Sequence, residues 1–422
     1  MTTGVLAEGV FARIVYKAYA TGVITTNAEP DPTVDPVGSS GGEVLRRVST
    51  TLSLAKDTYQ SNELREDQQL VTFRHGLRRA TGEIAGEFSP RSYFPLIEAA
   101  TRGTKSAAIS LTEADLTSCA ADNTTSKFTF ASGSPTTLGL RVGDIIRYGS
   151  LSDSDNNGKN FLVLSFGGTS NRELTVYPAP DTMSADTAFT LTSNGATGKA
   201  IILPSTGLVK RKFAFEVHHQ DTDFSRLFTE CRIGGFTLSL PATGMSTIQI
   251  PVLGRNQVDF EDAACPFFVS PTASTTTDVF EAVNGLLVVD GTAVGVVTGI
   301  TVTLNRSPSS DAVVGQNFAP EVFTGTGNVT GQITAMFESG TLVDNFVNED
   351  EVSVLVYLKT TNAVGSPAVS IHLPRVKFGA ANVAIQGQGA QTVTLPFQAL
   401  RFVGSTAGFE STTMRMVDTE AV

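Results

Sequence analysis

The chain has 422 residues, no Trp, 17% charged side chains and a net charge of −11 from 30 basic and 41 acidic residues. That balance excludes a general phosphate-binding surface and suits one that must not adhere to nucleic acid. The length points to two or three domains, and no run approaches the roughly 18 continuous apolar residues of a membrane-spanning helix.

Cys119, Cys231 and Cys265 are far apart and form no CxxC pair. Buried or free thiols are expected, with no disulfide framework or metal cluster. The opening "MTTGVLAEGVFARIVYKAY" lacks a basic stretch followed by an apolar run. No export signal is read there, so folding in a reducing cytosol is expected.

Residues 1–43 read as an arm. "NAEPDPTVDPVGSSGGE" holds three prolines and ends in a Ser/Gly run, although a short strand around Phe11, Ile14 and Tyr16 can dock on the body. Val48–Lys56 has the two-residue period of a half-buried strand. Leu52 and Leu54 lie on one face, and Thr51, Ser53 and Ala55 on the other. A second strand is expected over about Val71–Phe88, with Ile84, Gly86 and Phe88 opposite Glu83, Ala85 and Glu87. Between the two runs lies "TYQSNELREDQQLV", a polar connector without Gly or Pro and far longer than a tight hairpin needs. "SPRSYFPLIEAATRG" predicts a short helix, capped by Ser89 or Ser92 and ended by Gly103, with Tyr93, Phe94 and Ile97 as its buried stripe.

Residues 105–199 contain short alternating runs separated by Gly, Asn and Pro turns, which predicts a small inserted β-barrel or sandwich. Strand patterns return in Lys212–Gln220 and Arg232–Gly254. Residues 259–288 read as a connector, and "VVDGT" (Val288–Thr292) as a turn.

The opening pattern then recurs. "GITVTLNRS" alternates like Val48–Lys56, and "TGQITAMFESGTLVDNFVNEDE" parallels "TGEIAGEFSPRSYFPLIEAATRG". Leu342 with Phe346, and Val343 with Val347, predict one buried stripe on a second short helix. "AVSIHLPRVKFGAANVAIQGQGAQTVTLPFQALRF" parallels the stretch from Phe213 to Arg255. The pattern is that of an internal duplication of a strand, long loop, strand, helix and further strands. The expected parts are a first module over 44–104 and 200–258, an insert over 105–199, and a second module over 289–422.

Signals for chemistry are weak. "DSDNNGKN" (Asp153–Asn160) starts like a calcium loop, but the twelfth position is Leu164 where an EF-hand needs Glu, so it reads as a turn with φ > 0 at Asn157 or Gly158. His218 and His219 are adjacent and face opposite sides of a strand, which does not make a metal pair. There is no GxSxG, P-loop, HExxH or dinucleotide fingerprint. No catalytic residue, cofactor or metal is assigned, and the chain reads as a non-enzyme.

Taken in order, "LSLAKDTYQSNELREDQQLVTFRHGLRRATGEIAGEFSPRSYFPLIEAA" resembles the opening of the major tail tube proteins of long-tailed (siphophage) bacteriophages. Ser61, Glu63, Arg65, Asp67 and Gln68 or Gln69 fit that family's loop, and Gly82, Ile84, Glu87 and Ser89 its second strand. "LRVGDIIRYGS", "NNGKNFLVLS" and "LTVYP" are similar to its central module, and "NVTGQITAMFESGTLVDNFVNEDEVSVLVYL" to its later half. The resemblance implies a mainly β chain with two tail-tube-type β-sandwich modules, each with a flanking short helix. It implies modules joined edge to edge into rings, stacked into a tube through which genomic DNA passes, with the tape-measure protein inside and the terminator and tip proteins at the ends. It makes Thr51, Ser53, Glu83, Ala85, Glu87, Thr301, Thr303, Gln332 and Thr334 channel-facing candidates. Tyr59, Ser61, Asn62, Glu63, Arg65, Glu66, Asp67 and Gln68 become an inter-ring stacking loop, with Ser309, Asp311 and Asn317 in a second one. Because related rings are six-fold with one module per chain, two modules imply a homotrimer with pseudo-sixfold symmetry, against a hexamer as alternative. The expected location is the virion tail, assembled in the host cytoplasm, with the insert on the outside. The other readings are an exported β-rich adhesin, which needs an export signal, and a carbohydrate-binding protein, which needs exposed aromatics in a cleft.

Overall fold

The structure is a computed structural model and describes residues 7–19, 41–152, 154–194, 198–261, 266–268, 270–281, 284–338, 340–384 and 390–421. Most of the arm (20–40), Cys265 and Asp153 lie outside the described residues. Cys119 and Cys231 are buried free thiols, and burial lifts the Cys119 thiol to about 12.

The first half begins with β1 (Ala12–Ala18), β2 (Glu43–Leu45), β3 (Ser49–Thr50), β4 (Ser53–Gln60), β5 (Phe73–Glu87) and the helix α1 (Phe94–Thr101). The arm strand expected around Ile14 and Tyr16 is β1, which pairs with β2 and with a later strand over Phe213–His219. The insert carries β6 (Ser110–Thr112), a four-residue helix α2 (Glu113–Leu116) and β7–β13, the last being Thr190–Ser193. Next come β14 (Lys199–Ile202), β15 (Phe213–His219), β16 (Phe224–Ile233), β17 (Gly235–Pro241), β18 (Thr247–Gly254) and β19 (Asn256–Glu261). The second half has β20 (Gly285–Val289), β21 (Thr292–Val294), β22 (Val297–Asn305), β23 (Ser309–Ser310), β24 (Val322–Phe323), β25 (Asn328–Met336) and α3 (Thr341–Val347). It ends with β26 (Val352–Lys359), β27 (Ala368–Phe378), β28 (Asn382–Ala384), β29 (Thr392–Ala399) and β30 (Arg415–Asp418).

Nine of these strands form one antiparallel layer eight positions wide, β3 and β4 sharing one, in the order β3/β4, β5, β18, β17, β22, β25, β29, β28. The two halves therefore meet inside a continuous sheet, at the β17–β22 pair. A second layer covers one face of it. Its first part is β2, β1, β15, β16 and β19, and its second is β21, β20, β26, β27, β30 and β14. The long strands β16 and β27 each run from the outer layer into the inner one, where they pair with β18 and β29. Between the layers lies one hydrophobic core containing Ile84, Phe88, Ile250, Phe236, Leu238, Val302, Ile333, Leu395 and Phe397 from the inner layer. From the outer layer it takes Phe213, Phe215, Phe228, Val356, Ile371 and Leu373. This is the β-sandwich that two-residue alternation predicts.

The halves repeat each other at the level of strand register. Ile84 pairs with Ile250 and Glu83 with Pro251; Ile333 pairs with Leu395 and Gln332 with Pro396. Arg232 pairs with Leu253 as Lys377 pairs with Gln398. Each half also carries a glycine where the chain crowds a neighbouring carbonyl. A Cβ on Gly82, which has φ +153°, would meet the Thr51 oxygen at 2.6 Å; one on Gly331 would meet the Thr301 oxygen at 2.2 Å. The alternation duplicated in the sequence is thus a duplication of pairing.

The insert is an eight-stranded sheet with its own core, where Phe128 packs on Tyr148 (4.5 Å between ring centres) and Phe161 (5.0 Å). It seats Val142, Ile145 and Leu162 on Val288, Leu355, Tyr357 and Val417 of the second half's outer layer. A buried Arg415–Asp144 ion pair at 2.6 Å locks that contact. In the "DSDNNGKN" stretch, Ser154–Asn156 form a single 3-10 turn and Gly158 takes φ +72°, linking two antiparallel strands. "VVDGT" is the turn between β20 and β21, with Asp290 and Gly291 both at positive φ.

Four expectations need correction. The first helix is not capped by Ser89 or Ser92: its N-cap is Tyr93, those hydroxyls bond each other at 2.6 Å, and Arg102 ends the helix in the left-handed conformation (φ +57°) that Gly103 was expected to supply. Its burial extends beyond one stripe, because Leu96, Glu98, Ala99 and Ala100 are buried as well; Glu98 is held by Arg211 at 2.8 Å. The second helix does not bury its stripe. Leu342 and Val343 pack on the core, but Phe346 is 36% and Val347 67% exposed. Residues 259–261, read as connector, complete β19 alongside β16.

Candidate assembly surfaces

In an antiparallel sheet, directly paired residues share a face, so register maps the face opposite the core. Glu83 pairs with Pro251, Ala85 with Gln249 and Glu87 with Thr247. Across β17, Gln249 pairs with Thr237 and Thr247 with Ser239; across the junction, Thr237 pairs with Thr303 and Ser239 with Thr301. Thr301 pairs with Gln332, and Thr334 with Thr394. Thr51 joins the same face by bonding the Glu83 amide through its hydroxyl at 2.9 Å, and Ser53 pairs with Thr81. All nine sequence-predicted positions therefore lie on one unburied face of one sheet. Sequence reasoning missed Thr237, Ser239, Thr247, Gln249, Thr394 and Gln398, although "GFTLSLP", "TIQIPVLG" and "TVTLPFQA" alternate as clearly. The named positions are hydroxyls, amides and small residues with two carboxylates, Glu83 and Glu87, and no cation. Register adds two cations to this face, Arg79 opposite Ala55 and Lys377 opposite Gln398, and each lies beside an acid, Asp57 at 2.5 Å and Glu351 at 3.8 Å.

The polar connector is a projecting arm. Pairing of β4 with β5 runs out to Gln60 and Phe73, leaving residues 61–72 as its tip. Thr58–Gln60 thus belong to the strand. Arg65 pairs with Asp67 through two bonds of 3.1 and 2.9 Å, and Asp67 also accepts the Gln69 amide; Arg65 first, then that amide, holds its carboxyl below the usual range. Ser61 is half-buried, while Asn62, Glu63, Glu66 and Gln68 are exposed. The arm also exposes Tyr59, Leu64, Leu70, Val71 and Phe73, with Leu64 wholly open. Apolar side chains gathered on a projecting arm mark an interaction surface. The sequence displayed them, but among so many charges the stretch read simply as polar.

The counterpart loop, 306–327, behaves differently. Ser309 pairs with Phe323 in the short β23–β24 ladder, and Asp311 is exposed. The Asn317 carbonyl accepts the Arg78 amide at 2.8 Å, which ties the loop to the base of the arm. The Arg255 guanidinium lies 5.2 Å over the Phe318 ring and donates to the Ala319 carbonyl at 2.7 Å, while pairing with buried Glu230. Glu321 reaches Lys212 and Arg232, each at 3.2 Å. Burial raises the Glu321 carboxyl, but those two cations outweigh it and the net shift is downward.

At its ends the inner layer has β3/β4 on one side and β28 on the other. Among the described residues each is paired on one edge only, to β5 and to β29. The Leu52 amide bonds the hydroxyl of its own neighbour Thr50 at 3.3 Å. An open strand edge is a template for a further strand.

A duplicated β-sandwich with a polar sheet face, a projecting arm and two open edges defines a structural subunit that associates with others. The profile of the phage tail tube protein family matches the chain twice, over residues 12–201 and 197–399, and the chain belongs to that family. It is a structural component of the phage tail. Comparison with curated proteins finds no match. Among the described residues no helix is long and apolar enough to cross a membrane.

Proposed function

We propose that this chain forms stacked rings of three copies that build the tube of a long phage tail, the passage for genomic DNA during ejection. The observation that carries the reading is the eight-position inner layer, polar on one face and open at both edges. Three copies joined edge to edge supply 24 strand positions. At about 4.8 Å per strand the circle measures about 115 Å, or about 37 Å across between backbones before strand tilt widens it. Side chains leave room for a duplex about 20 Å wide. Two copies would close too tightly and six would leave a bore about twice as wide. The matching registers of the halves support the same count, because each half can occupy one of six equivalent places.

In this ring Glu83, Glu87, Gln332 and the threonine rows line the bore, where carboxylates and amides let a polyanion slide. The tape-measure protein occupies the same bore before ejection, and terminator and tip proteins meet the last rings. The arm at residues 58–71 lies across the next ring, with Glu63, Arg65, Glu66 and Asp67 setting register by charge and Leu64 and Leu70 burying apolar area. Asp311 at the exposed tip of the second loop meets the same neighbour. The insert, seated on the outer layer, decorates the outside. Imaging of purified assemblies tests the reading: stacked rings with a three-fold modulation of a six-fold profile are expected. Discrete particles, or rings with true six-fold symmetry at one chain per repeat, would overturn it.

A further inference from the structure

The repeat permits a step beyond the ring itself, and it rests on the ring reading. Because both halves have the same registers, the junction inside the chain is a template for the junction between chains. Ser53 stands to Thr81 as Thr303 stands to Thr330, and Asn382 stands to Thr394 as Thr237 stands to Gln249. Inside the chain, Thr237 pairs with Thr303 and Leu238 with Val302. We infer that β28 of one copy pairs antiparallel with β3/β4 of the next in one defined register, Asn382 opposite Ser53 and Val383 opposite Leu52.

Side-chain facing agrees with this register and with no odd-numbered slip. Asn382 and Ser53 are both exposed and both belong to the polar face. Leu52 is 3% exposed, and Val383 packs on the core from the other side. A slip of one residue would set Asn382 against Leu52 and turn a polar side chain toward the core. The internal pair also gives the expected closeness, since the Thr237 and Thr303 hydroxyls lie 3.1 Å apart.

Exposure beside the open edge points the same way. In the first half, Phe88 is buried under Phe280, whose amide bonds the Phe88 carbonyl at 2.9 Å and whose carbonyl accepts the Ser246 amide at 2.9 Å. Phe280 belongs to the stretch that leads into the second half. Phe337 occupies the matching place in the second half, bonding Gln391 as Phe88 bonds Ser246, yet it is 39% exposed beside Met336. The operation that sets Asn382 on Ser53 brings the next copy onto Phe337.

The test is a disulfide. Directly opposed residues of neighbouring strands have Cβ atoms about 4.5–5.5 Å apart, within small adjustments of a disulfide. In the full chain carrying Asn382→Cys and Ser53→Cys, oxidation of assembled material should give a covalent ladder ending at three chains. A Thr237→Cys, Thr303→Cys chain should form its bridge without any gain in mass. If rings assemble but Asn382→Cys links to Thr51→Cys or Ala55→Cys and not to Ser53→Cys, the register is overturned and the ring stands. If the chains neither assemble nor cross-link while the internal control closes, both fall.

Discussion

The sharpest stability prediction concerns two groups on neighbouring strands, Asp418 of β30 and His372 of β27. Burial lifts the Asp418 carboxyl from 3.8 to about 7, even though it accepts the amides of Arg91 at 2.7 Å and Glu420 at 2.9 Å. Burial, then the charge of Arg415, drops His372 from 6.5 to about 3, and neither ring nitrogen has a hydrogen-bond partner. The raised acid contributes stability that is fully present below about 3.8 and is lost as pH rises through about 7. The depressed imidazole contributes stability present above 6.5 and lost as pH falls toward about 3. Each shift of about three units corresponds to about 4 kcal/mol, and the two slopes oppose each other between about pH 4 and 6.5. The wild-type chain should therefore show little net dependence from this pair across that window. Asp418→Asn should expose the imidazole slope, losing about 3 kcal/mol relative to wild type on acidification from pH 6.5 to 4. His372→Leu should expose the opposite slope, with stability falling as pH rises from 4 to 7. Denaturant midpoints of the three unassembled chains against pH provide the assay. Difference profiles that stay flat for both variants would refute the burial argument.

Two further outcomes follow from the assembly surfaces. Deleting Ser61–Gln68 removes the arm's tip without touching the core, so circular dichroism and melting should stay near wild type while tube length collapses; long tubes from that protein would refute the stacking role. Glu83→Lys with Glu87→Lys converts the two carboxylates of each first half to cations, a change of four charges per chain. Tubes should still form, but DNA release should slow several-fold and recover partly at high salt, since each phosphate contact steepens salt dependence. Unchanged ejection kinetics would place those residues away from the DNA.

What could be read in the sequence was what alternation and local order encode. The faces of β4, β5, β22 and β25 followed from side-chain period, because period two leaves little freedom once one face is buried. The duplicated Thr-Gly-x-Ile stretches proved to be duplicated registers. Less legible was anything decided by distant partners. Ser89 and Ser92 have the chemistry of helix caps, yet they bond each other, and Ser92 also meets Thr275, a residue far along the chain. Phe346 and Val347 have the spacing of a buried stripe, but α1 packs on β14, β16 and β17 and takes bonds from Arg211 and Arg306, whereas α3 packs chiefly on β27. The β17–β22 junction joins residues about 65 positions apart, and nothing local marks either strand as the other's neighbour. For the same reason the two long loops read alike, although one projects and the other is fastened by Arg255 and Glu321.

That β17–β22 junction changes the arithmetic of assembly. In the proposed ring three of the six boundaries are formed when each chain folds, at the high effective concentration of a single molecule and whatever the dilution. Only three encounters remain, so ring closure depends on a lower power of subunit concentration than six separate modules would require. Joining the halves in one chain also fixes their alternation. A feature carried by one half alone, such as the insert resting on the second half's outer layer, must recur at every other position around the ring and can never occupy two adjacent ones.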